Sequence, residues 1–398
     1  MGILEKNIKT ILEAAYLLLF AVMIGYYFSW TTTFEIVWPE YFYRNLRILL
    51  LIVITMRFAA EDKICLADIL LGALTAFIFL VAWQHNTYEE LSNIVLLIVG
   101  SRGISYRKIV KVFLITCSVL LFWTVFSALT GRIENLIIYQ DGRRQRISFG
   151  IVYPTDFSAH LFYMITAYCC IRKERLRYLE IGGIAAVGIF VYIFCDARLN
   201  TICILLVAGC MAFNKWRHRR AQHQYQMHSA LSLLLCLSTT ICAMVMIGLT
   251  LLYDPGSKLM VLFDNILNSR LRLGKKGIDL YGLSIFGQPI KLIGSGNSVK
   301  QPENYFFLDS SYLYVLLQYG ILVLGVLLLL FAVLSFKARK ERQWTLLWLI
   351  AVMGLQCVVE HHIMDISYNI LLWLPLACLS EEPGKEPIIK RGWRKVKA

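Results

Sequence analysis

The chain has 398 residues, of which 58% are hydrophobic and 17% charged, with a net charge of +14. Soluble domains are about 45–50% apolar and about 25% charged, so a soluble protein of this length has no way to hide this much apolar surface, and a bilayer has to serve as solvent. The charge does not mark a nucleic-acid-binding protein, because it is divided among short loops between apolar runs, as the positive-inside rule produces.

Crossing the hydrocarbon core takes roughly 20 residues of helix. The runs from Ile11 to Trp30, Ile109 to Thr130, Leu231 to Tyr253 and Ser311 to Phe336 have about that length. Backbone groups in lipid must be satisfied internally, so these runs are predicted to be helices. The short alternating segments of a β-barrel are missing. The sequence predicts an all-α polytopic membrane protein with about twelve transmembrane helices, over 11–30, 45–58, 65–83, 89–101, 109–130, 156–171, 179–195, 198–213, 229–252, 311–335, 344–361 and 363–380. Residues 1–398 form one integral membrane domain on this reading. The first run ends without a small-residue cleavage site and reads as a retained anchor. Tight turns are expected at Glu61-Asp62-Lys63, at Asp196-Ala197-Arg198 and around His361 and Asp365.

Twelve spans place the basic clusters around Arg107, Arg175, Arg219 and Arg339, together with both termini, on one face, which the positive-inside rule assigns to the cytoplasm. Two longer segments then face outward: a basic loop over 131–153 and a large loop over 254–310. Both carry positive charge against the topological bias, which a phosphate-bearing ligand at the outer surface would explain. The 11 cysteines lie almost all in apolar runs, with no Cys-x-x-Cys, and read as small core hydrophobes.

Five groups of residues can carry chemistry. Arg143, Arg144 and Arg146, followed by Asp156 and His160, read either as a solvated basic loop or as a phosphate clamp. Arg198 stands beside Asp196 at the outer mouth of a span, as an interfacial ion pair or as a site residue. The large loop holds Arg270 and Arg272, then a glycine-rich stretch from Gly282 to Gly296, in which Tyr281 to Ile285 reads as a piece lying on the membrane surface. Asp309, just before Ser310, Ser311 and Tyr312, is placed as a general base or as a helix cap. Glu360, His361, His362, Asp365 and Asn369 form a polar turn; adjacent histidines on a helix point apart, which argues against a shared metal. No P-loop, nucleotide-binding glycine fingerprint, His-Glu-x-x-His or Asp-x-Asp occurs, which argues against ATP-driven transport and against metal-dependent use of nucleotide sugars.

In combination, the Arg-x-Arg-Ile-Ser-Phe-Gly stretch with Pro154 and Asp156, Ala-Arg-Leu-Asn at 197–200, Ser-Arg at 269–270, Gly-x-x-x-Phe-Gly-Gln at 282–288, and Asp309-Ser-Ser-Tyr with Tyr319-Gly320 resemble the O-antigen and capsular-polysaccharide polymerases (the Wzy type), relatives of the O-antigen ligases. The resemblance covers about residues 130 to 380 and each motif is loose. It implies a GT-C-like fold in the bacterial cytoplasmic membrane and a substrate of oligosaccharide repeat units on undecaprenyl diphosphate. It also implies inverting transfer without a metal or other cofactor, and work beside flippase and chain-length-regulator proteins. Arg198 and Arg270 match the arginines that the ligases place on the diphosphate. Arg143 and Arg146 match the basic outer loop of the polymerases. Asp309 becomes the expected base, with Glu303 and Glu360 as alternatives, and Arg144, Arg272, Tyr312 and Glu360 as further substrate contacts. The ligases carry a histidine in the region of Asp309, and the departure favours a polymerase; transfer to another acceptor and lipid-linked sugar flipping are the alternatives. Arg198→Ala or Arg270→Ala should leave the protein inserted and folded but remove chain growth; normal polymer length in both variants would sink the diphosphate role.

Overall fold

The computed structural model describes residues 3–60, 66–86, 90–139, 144–220, 225–294 and 302–380. It is mostly helical. In chain order the helices are α1 (Ile3–Ser29), α2 (Glu40–Ala59), α3 (Leu66–Asn86), α4 (Glu90–Gly100), α5 (Tyr106–Leu129), α6 (Pro154–Arg172), α7 (Tyr178–Cys195), α8 (Arg198–Arg220), α9 (Ser229–Leu251), α10 (Lys258–Ile266), α11 (Arg270–Tyr281), α12 (Ser311–Tyr314), α13 (Ile321–Lys340) and α14 (Trp344–Gln356). A two-stranded hairpin, β1 (Ile137–Ile138) against β2 (Arg146–Ile147), sits in the basic loop and is the one sheet among the described residues.

Among the described residues, seven helices are long and apolar enough to cross a membrane: α1, α3, α5, α7, α8, α9 and α13. The predicted spans depart from this set for identifiable reasons. Helix α2 forms but carries Arg44, Arg47 and Arg57. Arg47 donates to Ser92 Oγ at 3.0 Å, and Arg57 to the Arg102 carbonyl at 2.9 Å, so both arginines serve contacts with the α4 region. Helices α4 and α14 are short apolar helices of 11 and 13 residues. The run predicted as one helix over 311–335 is broken: α12 passes into a π-turn over Val315–Tyr319, and α13 starts only after Gly320.

The largest departure is the last predicted span, 363–380, which is not an α-helix. After α14 the chain continues through turns and one 3-10 turn, Ile370–Trp373. This stretch still traverses the bundle. Ser367 lies against Cys117 midway along α5, Trp373 packs edge-on against Phe20 of α1, and Pro375 accepts from Lys337 Nζ at 2.8 Å near the far end of α13. Cys378 closes the run by pairing with Ile104 and Tyr106 at the start of α5. Irregular backbone at membrane depth is tolerated only when protein surrounds it, and Ile370, Leu371, Leu372, Trp373 and Leu374 are all 0% exposed. Asn369 satisfies part of the freed backbone, accepting from Leu371 N at 3.1 Å and donating to the Ile363 carbonyl at 2.8 Å.

Contacts of Lys173 with the Tyr106 ring, of His218 with Glu174 and of Arg339 with Ser229 gather the clusters around Arg107, Arg175, Arg219 and Arg339 at one end of the bundle. The described parts of the basic loop and of the large loop lie at the other. At that second end Gly320 adopts φ +92°, and a Cβ there would meet Gly287 N at 2.3 Å and the Ile285 carbonyl oxygen at 2.6 Å. This close approach docks the large loop onto the helices. Gly320→Ala should cost about 2–4 kcal/mol from backbone strain and overlap, read as a lowered unfolding midpoint in detergent. Gly182→Ala, where a Cβ meets nothing within 4 Å, should be neutral or stabilising by up to about 1 kcal/mol.

Candidate active site

The site forms where α11, α12, α6, α8 and the residues after α14 meet. Arg270 is the first residue of α11, entered through a sharp turn in which Asn268 and Ser269 have φ of +50° and +65°. Buried Asp264 holds that turn: its carbonyl accepts from Ser269 N at 2.8 Å and its Oδ1 from Arg272 N at 3.0 Å. The Arg270 guanidinium therefore has a fixed direction. It donates to the carbonyls of Asn268 at 2.8 Å and Val359 at 3.4 Å, and its Nη2 lies 3.0 Å from Asp309 Oδ2. The side chains of this ion pair remain 19% and 18% exposed, although Asp309 Oδ2 itself is buried.

Beside the pair lies a denser cluster. His362 Nδ1 is 2.6 Å from Asp365 Oδ2, and its Nε2 is 3.6 Å from Asp156 Oδ1 and 3.9 Å from Glu360 Oε2. One imidazole thus meets carboxylates from the start of α6 and from both sides of itself in sequence. The His362 ring stacks on Tyr368, which stacks on His160, at centroid separations of 4.0 and 3.9 Å. Glu360 is held from α8, where Asn200 Nδ2 donates to Glu360 Oε1 at 3.3 Å and to Ser158 Oγ at 2.7 Å. Gln356 Nε2 donates to Asn200 Oδ1 at 3.1 Å, and Gln356 Oε1 accepts from Tyr163 at 2.8 Å. Ser311 N and Oγ both donate to the Glu360 carbonyl, which ties the head of α12 to this turn.

The electrostatics follow from burial and these partners. Burial raises the Asp309 carboxyl above its usual range, against the opposing pull of Arg270. Burial likewise pushes Glu360 up to about 7, although His362 and Arg270 pull it down. Burial by itself would lower His362, but the hydrogen bonds and charges of Asp156 and Asp365 outweigh it and raise the imidazole to about 10. His361 moves the other way, down, because burial and the His362 charge act together. At neutral pH the cluster holds an imidazolium among carboxylates, with Glu360 poised near its titration point.

The structure sorts the sequence-derived site residues. It brings Asp309, Arg270 and Glu360 together. Arg272 lies two residues along α11, with Nη2 3.3 Å from Ser269 Oγ. Arg198 heads α8, 65% exposed, with Nε 3.5 Å from buried Asp196. Arg146 is 4% exposed, donates to the Cys195 carbonyl at 3.1 Å and stands over the Tyr153 ring. Arg146 therefore braces the loop against the end of α7. Arg144 lies over the Tyr192 ring, and Arg143 falls outside the described residues. Tyr312 is a correction: it is 0% exposed and donates to the Gly354 carbonyl at 2.8 Å, so it packs α12 against α14 and has no face for a substrate. Tyr305, within electrostatic reach of Asp309, Arg270 and Tyr153, connects the Arg270 side to the Arg146 side.

The expectation that His361 and His362 point apart also fails, because this stretch is not helical; their ring centroids are 4.1 Å apart. Together with Asp365 they offer ligand atoms within 4.8 Å of one another, the one group of this kind among the described residues. A metal there would compete with the proton that Asp365 and Asp156 hold on His362. The sequence reading also passed over Asp156, Asn200 and His362 as partners. Four ionisable residues within six positions of an otherwise apolar stretch were the available signal.

Compared with models of protein families, with curated proteins and with solved structures, the chain matches none.

The raised pKa of His362 fixes a pH dependence of stability. A folded value of about 10 against about 6.5 unfolded gives a contribution that is complete below pH 6.5 and lost progressively as the pH rises to about 10. The unfolding midpoint in detergent should fall across that window, and His362→Gln should lower the midpoint at pH 6.5 and flatten the slope. An unchanged slope in the variant would show that His362 is not the titrating group.

Proposed function

We propose that this membrane protein polymerises oligosaccharide repeat units carried on a polyprenyl diphosphate, at the outer face of a bacterial cytoplasmic membrane, with both termini in the cytoplasm. The observation that carries the reading is the Arg270–Asp309 pair, partly exposed at one end of the bundle and backed by Glu360 and His362. A carboxylate and a guanidinium held 3.0 Å apart are the two groups a glycosyl transfer from a diphosphate requires. Clustering of the ionisable groups at one end, rather than along the spans, favours a surface reaction over passage through the bundle.

The transfer divides between them. The bond from the anomeric carbon of the growing chain to the diphosphate oxygen breaks, and the leaving diphosphate gains negative charge. Arg270, with Arg198, stabilises that charge, a contribution larger in the transition state than in the ground state. A hydroxyl of the incoming unit attacks from the opposite face and its proton passes to Asp309. In the resting state Arg270 neutralises Asp309. A diphosphate that engages Arg270 releases the carboxylate, so the base is freed only when a donor is bound. Glu360, near its titration point, receives or returns the proton through the buried cluster. No nucleotide or other cofactor is needed, since the diphosphate leaving group drives the step. A flippase that delivers the units and a regulator of chain length are the partners this activity calls for.

Asp309→Asn should lower chain growth by about 10²–10⁴-fold with little change in substrate binding. The decisive assay combines purified protein with synthetic lipid-linked repeat units and follows the saccharide ladder on a gel. A ladder made by this protein alone supports a polymerase. In cells lacking the protein, an intact lipid-linked ladder with loss only of the surface-attached product would mean a ligase. Single units trapped on the inner leaflet would mean a flippase.

A further inference from the structure

Helix α8 carries a second feature that the transfer chemistry does not use. An open groove of about 500 Å³ runs along its outer side, lined by Ile202, Leu205, Leu206, Gly209, Cys210 and Phe213, with Trp348 of α14 opposite. The α8 positions recur every three or four residues, so they form a single stripe. Four residues before Ile202, at the head of the same stripe, stands Arg198, 65% exposed. From Ile202 to Phe213 the stripe is ~17 Å long at the rise of an α-helix. Trp348 closes the far end, packed edge-on against Phe213 at 6.2 Å.

Gly209 is informative. A glycine in the middle of a helix is unfavourable, and here no close packing requires one, because a Cβ would meet nothing within 4 Å. Its effect is to deepen the groove halfway along. The groove is thus a long apolar channel on a membrane-crossing helix, open along its side and headed by a cation, which are the features of a lipid with one flexible hydrocarbon chain and an anionic head.

We infer that this groove holds the isoprenoid chain of the lipid-linked substrate, with the diphosphate at Arg198; the choice of an isoprenoid diphosphate rests on the polymerase reading above. The chain lies along α8 toward Trp348, and the diphosphate reaches from Arg198 to Arg270, which leaves the saccharide beside Asp309. Arg198 is then a binding residue at the head of the channel, and its neighbour Asp196 turns the guanidinium until a diphosphate takes it.

The test uses the full-length protein in nanodiscs and a polyprenyl diphosphate probe bearing a benzophenone in its chain, with labelled peptides mapped by mass spectrometry. Labelling is expected within 198–213 and 344–356. Gly209→Phe, whose Cβ meets nothing within 4 Å and whose ring enters the open groove, should retain the unfolding midpoint and reduce that labelling at least tenfold. Unlabelled polyprenyl diphosphate should compete and phosphatidylglycerol should not. Labels on other helices, unchanged labelling in Gly209→Phe, or equal competition by phosphatidylglycerol would each overturn the assignment. The polymerase reading is scored separately by the ladder assay. A wild-type ladder with normal labelling of Gly209→Phe removes the groove and keeps the polymerase; labelling in the groove without any ladder keeps the lipid site and removes the polymerase.

Discussion

Backbone polar groups inside a bilayer must find partners within the protein, and the region after α14 meets this requirement without a helix. Over 357–379 the chain is threaded through the bundle and is buried for most of its length. Asn369, Ser311 and the carbonyls of Ile104 and Glu360 supply hydrogen bonds that an α-helix would have supplied itself. The organisation of the site depends on this choice. A helix would have kept His361, His362 and Asp365 on one side and turned Glu360 away from them. The irregular run gathers them at one end, within reach of Asp156 from α6 and Asn200 from α8.

The same constraint accounts for the way charge is held. Taking an isolated ion out of water is very costly, and the charges of the site are paired accordingly. His362 has Asp365 and Asp156, and Arg270 has Asp309. The two sets differ at their centres: the His362 side chain is 1% exposed, with Asp156 and Asp365 reaching the surface at its edges, whereas both members of the Arg270 pair are partly exposed. Gly320 and the turn at Asn268 and Ser269 fix the position of the large loop from which Arg270 projects. The precision of the site thus rests on backbone conformations that few residues adopt.

Arginine content alone was a coarse guide to function. Arg146, Arg198 and Arg270 all fall in segments read as outward-facing, Arg146 and Arg270 in loops and Arg198 at the mouth of a span. Their surroundings separate them: Arg146 is consumed in bracing a loop, Arg198 faces outward at the head of a groove, and Arg270 faces a carboxylate. Tyr312 shows the reverse error. It lies three residues after Asp309, yet α12 turns it into the packing against α14. Along a helix, neighbours in sequence face different ways, so proximity to a site residue says little about orientation.

By itself the sequence determined the membrane class, the helical character of the long apolar runs, and the gathering of basic clusters at one end. These follow from local quantities, namely run length, hydrophobicity and the placement of Lys and Arg. It also identified Arg270, Asp309 and Glu360 as candidates, because ionisable residues beside apolar runs are conspicuous. Only the tertiary structure decided that the last apolar run would not be helical, that His362 would be clasped by Asp156 from some 200 positions away, and that Tyr312 would be buried. These outcomes turn on which surfaces shield a segment from lipid and which distant side chains complete its hydrogen bonds. Neither is encoded within the window of residues that makes a segment apolar.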